Sequence, residues 1–237
     1  MIKVDNLTVK IGGQKILNGL SCSLNSKKIT CFIGKSGAGK TTLLKSLVNL
    51  VPITEGNITI DRIEFKNLSQ KKKAEIIGYV FQDFNLFNNL TVFENCMGPL
   101  LVHGVDKKIA KIRVQEELKK LGMDSYVNKY PSQMSGGQQQ RVAIARSLCL
   151  KPKFLLFDEP TASLDPCNTQ KLITILESLA KDGFTIALIS QDMSFVKKIA
   201  NRVYFLEAGN ITGFSEESRG LKKSKIIEDF ITLGKSD

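Results

Sequence analysis

Residues 28–50, KITCFIGKSGAGKTTLLKSLVNL, constrain this chain more than any other stretch. The apolar run KITCFI has the composition of a buried strand. It passes directly into GKSGAGKT, which matches G-x-x-x-x-G-K-T in full from Gly34 to Thr41. The next residues, TLLKSLVNL, repeat leucine at helical spacing and are expected to run as a helix up to Pro52. Strand, glycine-rich loop and helix in that order surround a phosphate with backbone N–H groups and a positive helix terminus. In this reading Gly34, Lys35, Ser36, Gly37, Ala38 and Gly39 form the cradle and Lys40 reaches the β- and γ-phosphates. The Thr41 hydroxyl is placed to ligate Mg2+, with Thr42 beside it.

A second apolar run, KFLLFD at 153–158, reads as a central parallel strand ending in Asp158-Glu159. An aspartate at the carboxyl end of such a strand can hold magnesium through water. The adjacent glutamate can then orient or deprotonate the attacking water, because the ion claims only one of the two acids. MSGGQQQR, 134–141, adds a third feature. Ser135 and Gln138 have capping-box spacing, and Gly136-Gly137 leave the backbone open at a helix start. Such a start can bind an anion, and it can equally be a plain glycine-assisted helix beginning.

The remaining pattern alternates strands and helices. Two apolar runs flanking Gly12-Gly13 predict edge strands or a hairpin, and NITIDRIEF at 57–65 a further antiparallel element. IIGYVFQ at 76–82 predicts a short strand. From about 88 to 150 no convincing strand occurs, which predicts a helical lobe inserted between two strands of the sheet. Within it, Thr91 and Glu94 predict a capping box. Asp106 to Leu121 predicts an amphipathic helix with Ile109, Ile112, Leu118 and Leu121 as its inner stripe. Asp165-Pro166 caps a helix to about Ala180. FTIALIS and NRVYFLEAG frame the short helix DMSFVKKIA, and LKKSKIIEDFITL predicts a terminal amphipathic helix packed back on the domain.

Composition excludes several classes. No window approaches the roughly 20 apolar residues of a spanning helix, and MIKVDNLTVK lacks the order of a secretory signal, so a soluble intracellular chain is expected. The cysteines at 22, 31, 96, 149 and 167 have no metal-like spacing and read as free thiols. The formal charge of +11 would suit nucleic acid, phosphate or an anionic membrane face. The lysines are scattered, however, and KKK at 71–73 lacks interleaved aromatics, so a nucleic-acid partner is not expected.

Taken in order, GKSGAGKT, YVFQ with Gln82, MSGGQ, FLLFDEP and SLD at 163–165 resemble the full motif set of an ABC transporter nucleotide-binding domain, over nearly the whole chain. FQDFNLFNNLTVFENCMGPL and YPSQMSGGQQQRVAIARSL most resemble the ATPase subunits of bacterial polar amino-acid importers. The resemblance implies an α/β P-loop NTPase core with a mainly parallel sheet, an N-terminal antiparallel β subdomain and an inserted helical subdomain. The single domain would divide into a core over 1–87 and 151–215, a helical subdomain over 88–150 and an extension over 216–237. It further implies two chains arranged head to tail with ATP and Mg2+ between them. Ser135, Gly136, Gly137, Gln138 and Asp165 would act across the dimer, Thr41, Gln82 and Asp158 on the metal, and Glu159 as catalytic base. Implied partners are transmembrane permease subunits and an extracytoplasmic solute-binding protein, with the chain at the cytoplasmic side of the membrane.

Two positions depart from the family pattern. Ile11 stands where an aromatic residue is expected to stack on adenine. Gln191 follows Ser190 where a histidine is expected, and the chain's only histidine is His103. An amide can donate and accept, so Gln191 can still link phosphate to Glu159 or Asp165, but it cannot acquire charge. The alternatives left open are ABC ATPases of lipoprotein release, export or cell division, a nucleic-acid-associated ABC ATPase, and an ATP-controlled clamp that hydrolyses poorly.

Overall fold

Gly12 and Gly13, both at positive φ (56° and 81°), close a two-residue turn between β1 (Ile2–Ile11) and β2 (Gln14–Leu24), with Ile11 paired to Gln14. The computed structural model describes residues 1–216 of the chain. The hairpin continues into an antiparallel sheet of order β2-β1-β4-β5, with β4 at Glu55–Ile60 and β5 at Ile63–Glu64. A second sheet has the order β10-β9-β3-β8-β7-β6. Its strands are β3 (Ile29–Ile33), β6 (Ile77–Val80), β7 (Phe154–Asp158), β8 (Thr185–Ile189), β9 (Arg202–Glu207) and β10 (Asn210–Glu216). All neighbours in it are parallel except β9 and β10.

The second sheet is the middle layer, and its strands bury both faces. In β7, Leu155 and Phe157 enter one core cluster while Phe154 and Leu156 enter the other; β8 divides Ile186 and Leu188 from Ala187 and Ile189 in the same way. This explains why these strands read as unbroken apolar runs and not as alternation. One face packs on α1 (Lys40–Leu47) and the antiparallel sheet. The other packs on α6 (Pro166–Lys181), α7 (Met193–Ile199) and a helical lobe. That lobe is α3 (Val92–Val102), α4 (Lys107–Lys120) and α5 (Gly136–Leu148), inserted between β6 and β7. A further helix, α2 (Gln70–Ile76), precedes β6.

Local signals behaved as their chemistry requires. Thr91 and Glu94 form the capping box of α3, and Asp106 and Asp165 cap α4 and α6. Two expectations need correction. The helix after the phosphate loop stops at Leu47 and does not run up to Pro52, because Asn49 adopts a left-handed conformation at φ 61°. In α4 the inner row is Ala110, Val114 and Leu118 with Leu121 following, whereas Ile109 and Ile112 remain 48% and 56% exposed. At about 100° per residue, Ile112 falls nearly opposite this row, and the small Ala110 marks the side against the other helices. The expected terminal helix lies outside the described residues.

Candidate nucleotide site

The parallel register sets the site. Phe32 pairs with Ile189, Asp158 with Ile189, and Val80 with Phe157. The carboxyl ends of β3, β6, β7 and β8 therefore meet at one sheet edge, and the residues just beyond them are Gly34, Gln82, Asp158-Glu159 and Ser190-Gln191. In a parallel sheet this edge is where ligands bind.

The loop after β3 is braced from behind. Gly34 has φ 144°, and a β-carbon there would lie 2.1 Å from the Leu206 carbonyl oxygen of β9. Gly39, at φ 98°, abuts Ile16 and Leu17 of β2, and the Ala38 carbonyl accepts from the Gly209 N–H at 3.1 Å. The part of the hairpin against the loop is thus Ile16–Leu17, while Ile11 lies at the hairpin turn, 49% exposed. Lys35, Ser36 and Gly37 are exposed; Ala38, Gly39 and Lys40 are buried; Thr41 and Thr42 are half-buried.

Lys40 folds over the loop, its Nζ donating to the carbonyls of Gly34 and Lys35 at 2.8 Å each. Burial lowers its pKa, and the nearby Glu159 and Asp158 carboxylates act against that shift. The Thr41 hydroxyl donates to Asp158 Oδ1 at 3.0 Å, and the Tyr79 hydroxyl donates to Oδ2 at 2.9 Å. Glu159 turns the chain out of β7 at φ 47°, a conformation that costs a non-glycine residue about 1–2 kcal/mol and that clusters at functional sites. Burial raises the Glu159 pKa. Hydrogen bonds from the Gln191 side chain and backbone, and the Lys40 charge, oppose the rise, and Asp158 adds to it.

Gln191 lies by Glu159 because β7 and β8 pair Asp158 with Ile189, and its neighbours are engaged elsewhere. The Ser190 hydroxyl accepts from the Asp192 N–H at 3.1 Å, and Asp192 caps α7 by accepting from Ser194 and Phe195. The exposed Gln191 is left to donate its backbone N–H to Glu159 Oε2 at 3.1 Å. Gln82 is exposed beyond β6. Its loop is held by Arg146 of α5, which donates to the carbonyls of Asn85 and Phe84 at 2.6 and 2.7 Å.

Ser135 to Gln138 and Asp165 form a second grouping. Gln138 accepts from the Ser135 N–H at 2.9 Å in a capping box. A β-carbon at Gly137 would lie 2.7 Å from the Asn168 side chain, which itself donates to Asp165 Oδ2 at 2.6 Å. Hydrogen bonds from the Asn168 backbone and side chain hold the Asp165 pKa below the ordinary carboxylate value. Among the described residues no hydrogen bond joins this grouping to the loop of Gly34–Thr41. Tyr79, Arg146 and Asn168 were not singled out from sequence. Only the position of Tyr79, in the strand run ending at Gln82, carried any signal.

Hydroxyl and carboxylate oxygens 3.0 Å apart at a phosphate loop form a hard-oxygen donor pair, which fits a Mg2+ that takes its remaining ligands from phosphate and water. Such a loop with an acidic strand end beside it defines a P-loop nucleotide-binding protein. The chain belongs to the ABC transporter family, whose profile matches residues 17–162. It is 41% identical to the L-cystine transport system ATP-binding protein TcyN of Escherichia coli over 222 residues, 89% of this chain and 88% of that one. It is 38% identical to the glutamate/aspartate import ATP-binding protein GltL of Escherichia coli over 236 residues, 98% of both. A solved ATP-binding cassette, a dimer in a post-hydrolysis state bound to ADP and Pi, superposes with TM-score 0.81 at 32% identity, covering 91% of this chain and 98% of that one.

Proposed function

We propose that this chain is the ATP-hydrolysing subunit of an importer of polar amino acids. It would act as a head-to-tail dimer at the cytoplasmic side of the membrane, bound to permease subunits that receive solute from an extracytoplasmic binding protein. The observation that carries the hydrolytic reading is the meeting of Lys40, Thr41, Asp158, Glu159 and Gln191 at one sheet edge. The full-length similarity to amino-acid transport ATPases supports the solute class. No helix of the described residues is long and apolar enough to cross a membrane.

Each residue has a distinct task. The N–H groups of Gly34 to Thr42 bind phosphate oxygens, and Lys40 moves its ammonium from the loop carbonyls to the ligand. Thr41 and Asp158 hold Mg2+, which when bound supplies positive charge to the phosphate oxygens. Glu159 takes a proton from water, and its raised pKa makes it a stronger base than an exposed glutamate. Gln191 orients that carboxylate, and Gln82 helps position metal and water. Ile11 covers the base without a ring. Ser135, Gly136, Gly137, Gln138 and Asp165 serve the site of the opposite chain.

One observation favours a second reading, an ATP-controlled clamp that turns over slowly: the Gln191 side chain that bonds Glu159 is an amide that cannot become charged. Reconstitution with the permease separates the two readings. The expected result is Mg-ATP hydrolysis coupled to amino-acid uptake, with Glu159→Gln abolishing turnover while ATP still assembles the dimer. A wild-type complex that binds ATP without hydrolysis or transport would leave only the clamp.

A further inference from the structure

Asp158 is 6% exposed, and both of its carboxylate oxygens are engaged, by two different donors on two different elements. The bond from Thr41 comes from the start of α1, directly after the phosphate loop. The bond from Tyr79 crosses from β6 to β7, whose register sets Tyr79 beside Leu156, two residues before Asp158. We propose that Tyr79 is a positioning residue for the metal site: its hydroxyl fixes the plane of the Asp158 carboxylate so that Oδ1 is presented to Mg2+. This inference rests on the reading of Asp158 and Thr41 as the metal-holding pair.

A carboxylate turns easily about its last torsion, which is broad and roughly two-fold, so a single hydrogen bond leaves its plane loosely defined. Thr41 cannot supply the second constraint in the working site, because the hydroxyl that donates to Asp158 is the group that must turn to the metal. Tyr79 has no such competing duty. Its phenol is half-buried, and its hydroxyl donates to Asp158 Oδ2 at 2.9 Å.

The surroundings hold Tyr79 as firmly as it holds Asp158. Its backbone carbonyl accepts from the Ser147 hydroxyl of α5 at 3.3 Å, and its ring packs against Phe81 with centroids 4.6 Å apart. Phe81 directly precedes Gln82, the other residue assigned to the metal. Tyr79 therefore touches Asp158 through its hydroxyl, the Gln82 segment through its ring and the helical lobe through its backbone. Outer partners of metal ligands commonly change metal affinity by about 10- to 100-fold when removed.

Tyr79→Phe removes the hydroxyl and keeps the ring contact. In the reconstituted complex, the Mg2+ concentration giving half-maximal hydrolysis is expected to rise about tenfold in this variant, with turnover at saturating Mg2+ within about twofold of wild type. Mn2+ binding to the nucleotide-bound protein, read by electron paramagnetic resonance, is expected to weaken by a similar factor. ATP affinity measured in EDTA is expected to be unchanged, which also establishes that the variant is folded. Unchanged Mg2+ and Mn2+ dependence in Tyr79→Phe would overturn the inference, as would an equal loss of ATP affinity in EDTA. Asp158→Asn separates this from the underlying reading. If Asp158→Asn also leaves metal dependence unaltered, the assignment of Asp158 fails; if only Tyr79→Phe is silent, Tyr79 alone loses its role.

Discussion

Gln191 and Glu159 are joined by a 3.1 Å hydrogen bond from the Gln191 backbone N–H to Glu159 Oε2, and the Gln191 side chain bonds the same carboxylate. Donors to a carboxylate favour its charged form, so they lower a pKa that burial has raised. In Gln191→Ala the backbone bond remains and the side-chain bond is lost, so Glu159 becomes harder to deprotonate. The acidic limb of the hydrolysis profile should move to higher pH. Activity on the acidic limb relative to the plateau should fall by up to about fivefold, in line with about 1 kcal/mol for one hydrogen bond. Gln191→His should add a second titration near the ordinary histidine range, visible as an extra limb in the same assay.

The parts of this site that were legible in the sequence have fixed spacing on one element. Gly34 to Thr41 must be contiguous because loop and helix start act together, and Asp158-Glu159 must end an apolar strand because only a central strand delivers them to that edge. Tyr79 and Asp158 are 79 positions apart, and Arg146 and Phe84 are 62 apart. Such pairs are created by strand order and by the placing of the helical lobe, which local pattern does not encode. The error at Ile109 and Ile112 has the same origin. Apolar character alone does not say which side of α4 meets α3 and α5, and a small alanine supplied the contact.

Backbone geometry separates two glycines of the phosphate loop. Gly37, at φ 77°, has open space where a β-carbon would go, whereas at Gly34 that carbon would meet the Leu206 carbonyl oxygen at 2.1 Å. Gly37→Ala should therefore carry only the left-handed penalty, about 1–2 kcal/mol in urea denaturation, with ATP binding weakened modestly. Gly34→Ala must displace either the loop or β9. It should lose ATP binding and several kcal/mol of stability, since overpacking adds about 1–3 kcal/mol to the backbone cost. Equal effects in the two variants would show that the brace from β9 is unimportant.

Asn168 occupies the space beside Gly137 and donates to Asp165 at 2.6 Å, so the two segments assigned to the opposite active site are held as one unit within each chain. Asn168→Ala keeps the backbone cap of α6, because Asp165 Oδ1 also accepts from the Asn168 N–H at 2.8 Å. Thermal stability should then change little. Cooperative hydrolysis by the reconstituted dimer should fall several-fold, with ATP binding to the isolated chain unaffected. A variant with wild-type cooperativity would show that Asp165 orients itself.

Arg146 carries the longest mechanical consequence. It lies near the end of α5, the helix that Ser135 to Gln138 begin, and its guanidinium donates to the carbonyls of Asn85 and Phe84 at 2.6 and 2.7 Å. Both of those residues adopt positive φ, 46° for Asn85 and 60° for Phe84, so the loop after Gln82 is held in a conformation that non-glycine residues avoid. Two bonds from a charged fork offset that strain and tie the loop to α5. A lysine has one point of charge and cannot reproduce the planar fork, so Arg146→Lys should behave more like Arg146→Ala than like wild type. Either variant should lose about 1–3 kcal/mol in denaturant unfolding. ATP affinity should stay within twofold of wild type, because neither carbonyl belongs to the phosphate loop. Stimulation of hydrolysis by the permease should fall about tenfold. The decisive comparison is hydrolysis with and without the permease in Arg146→Lys: retained stimulation together with the predicted loss of stability would reduce this contact to a support of the fold.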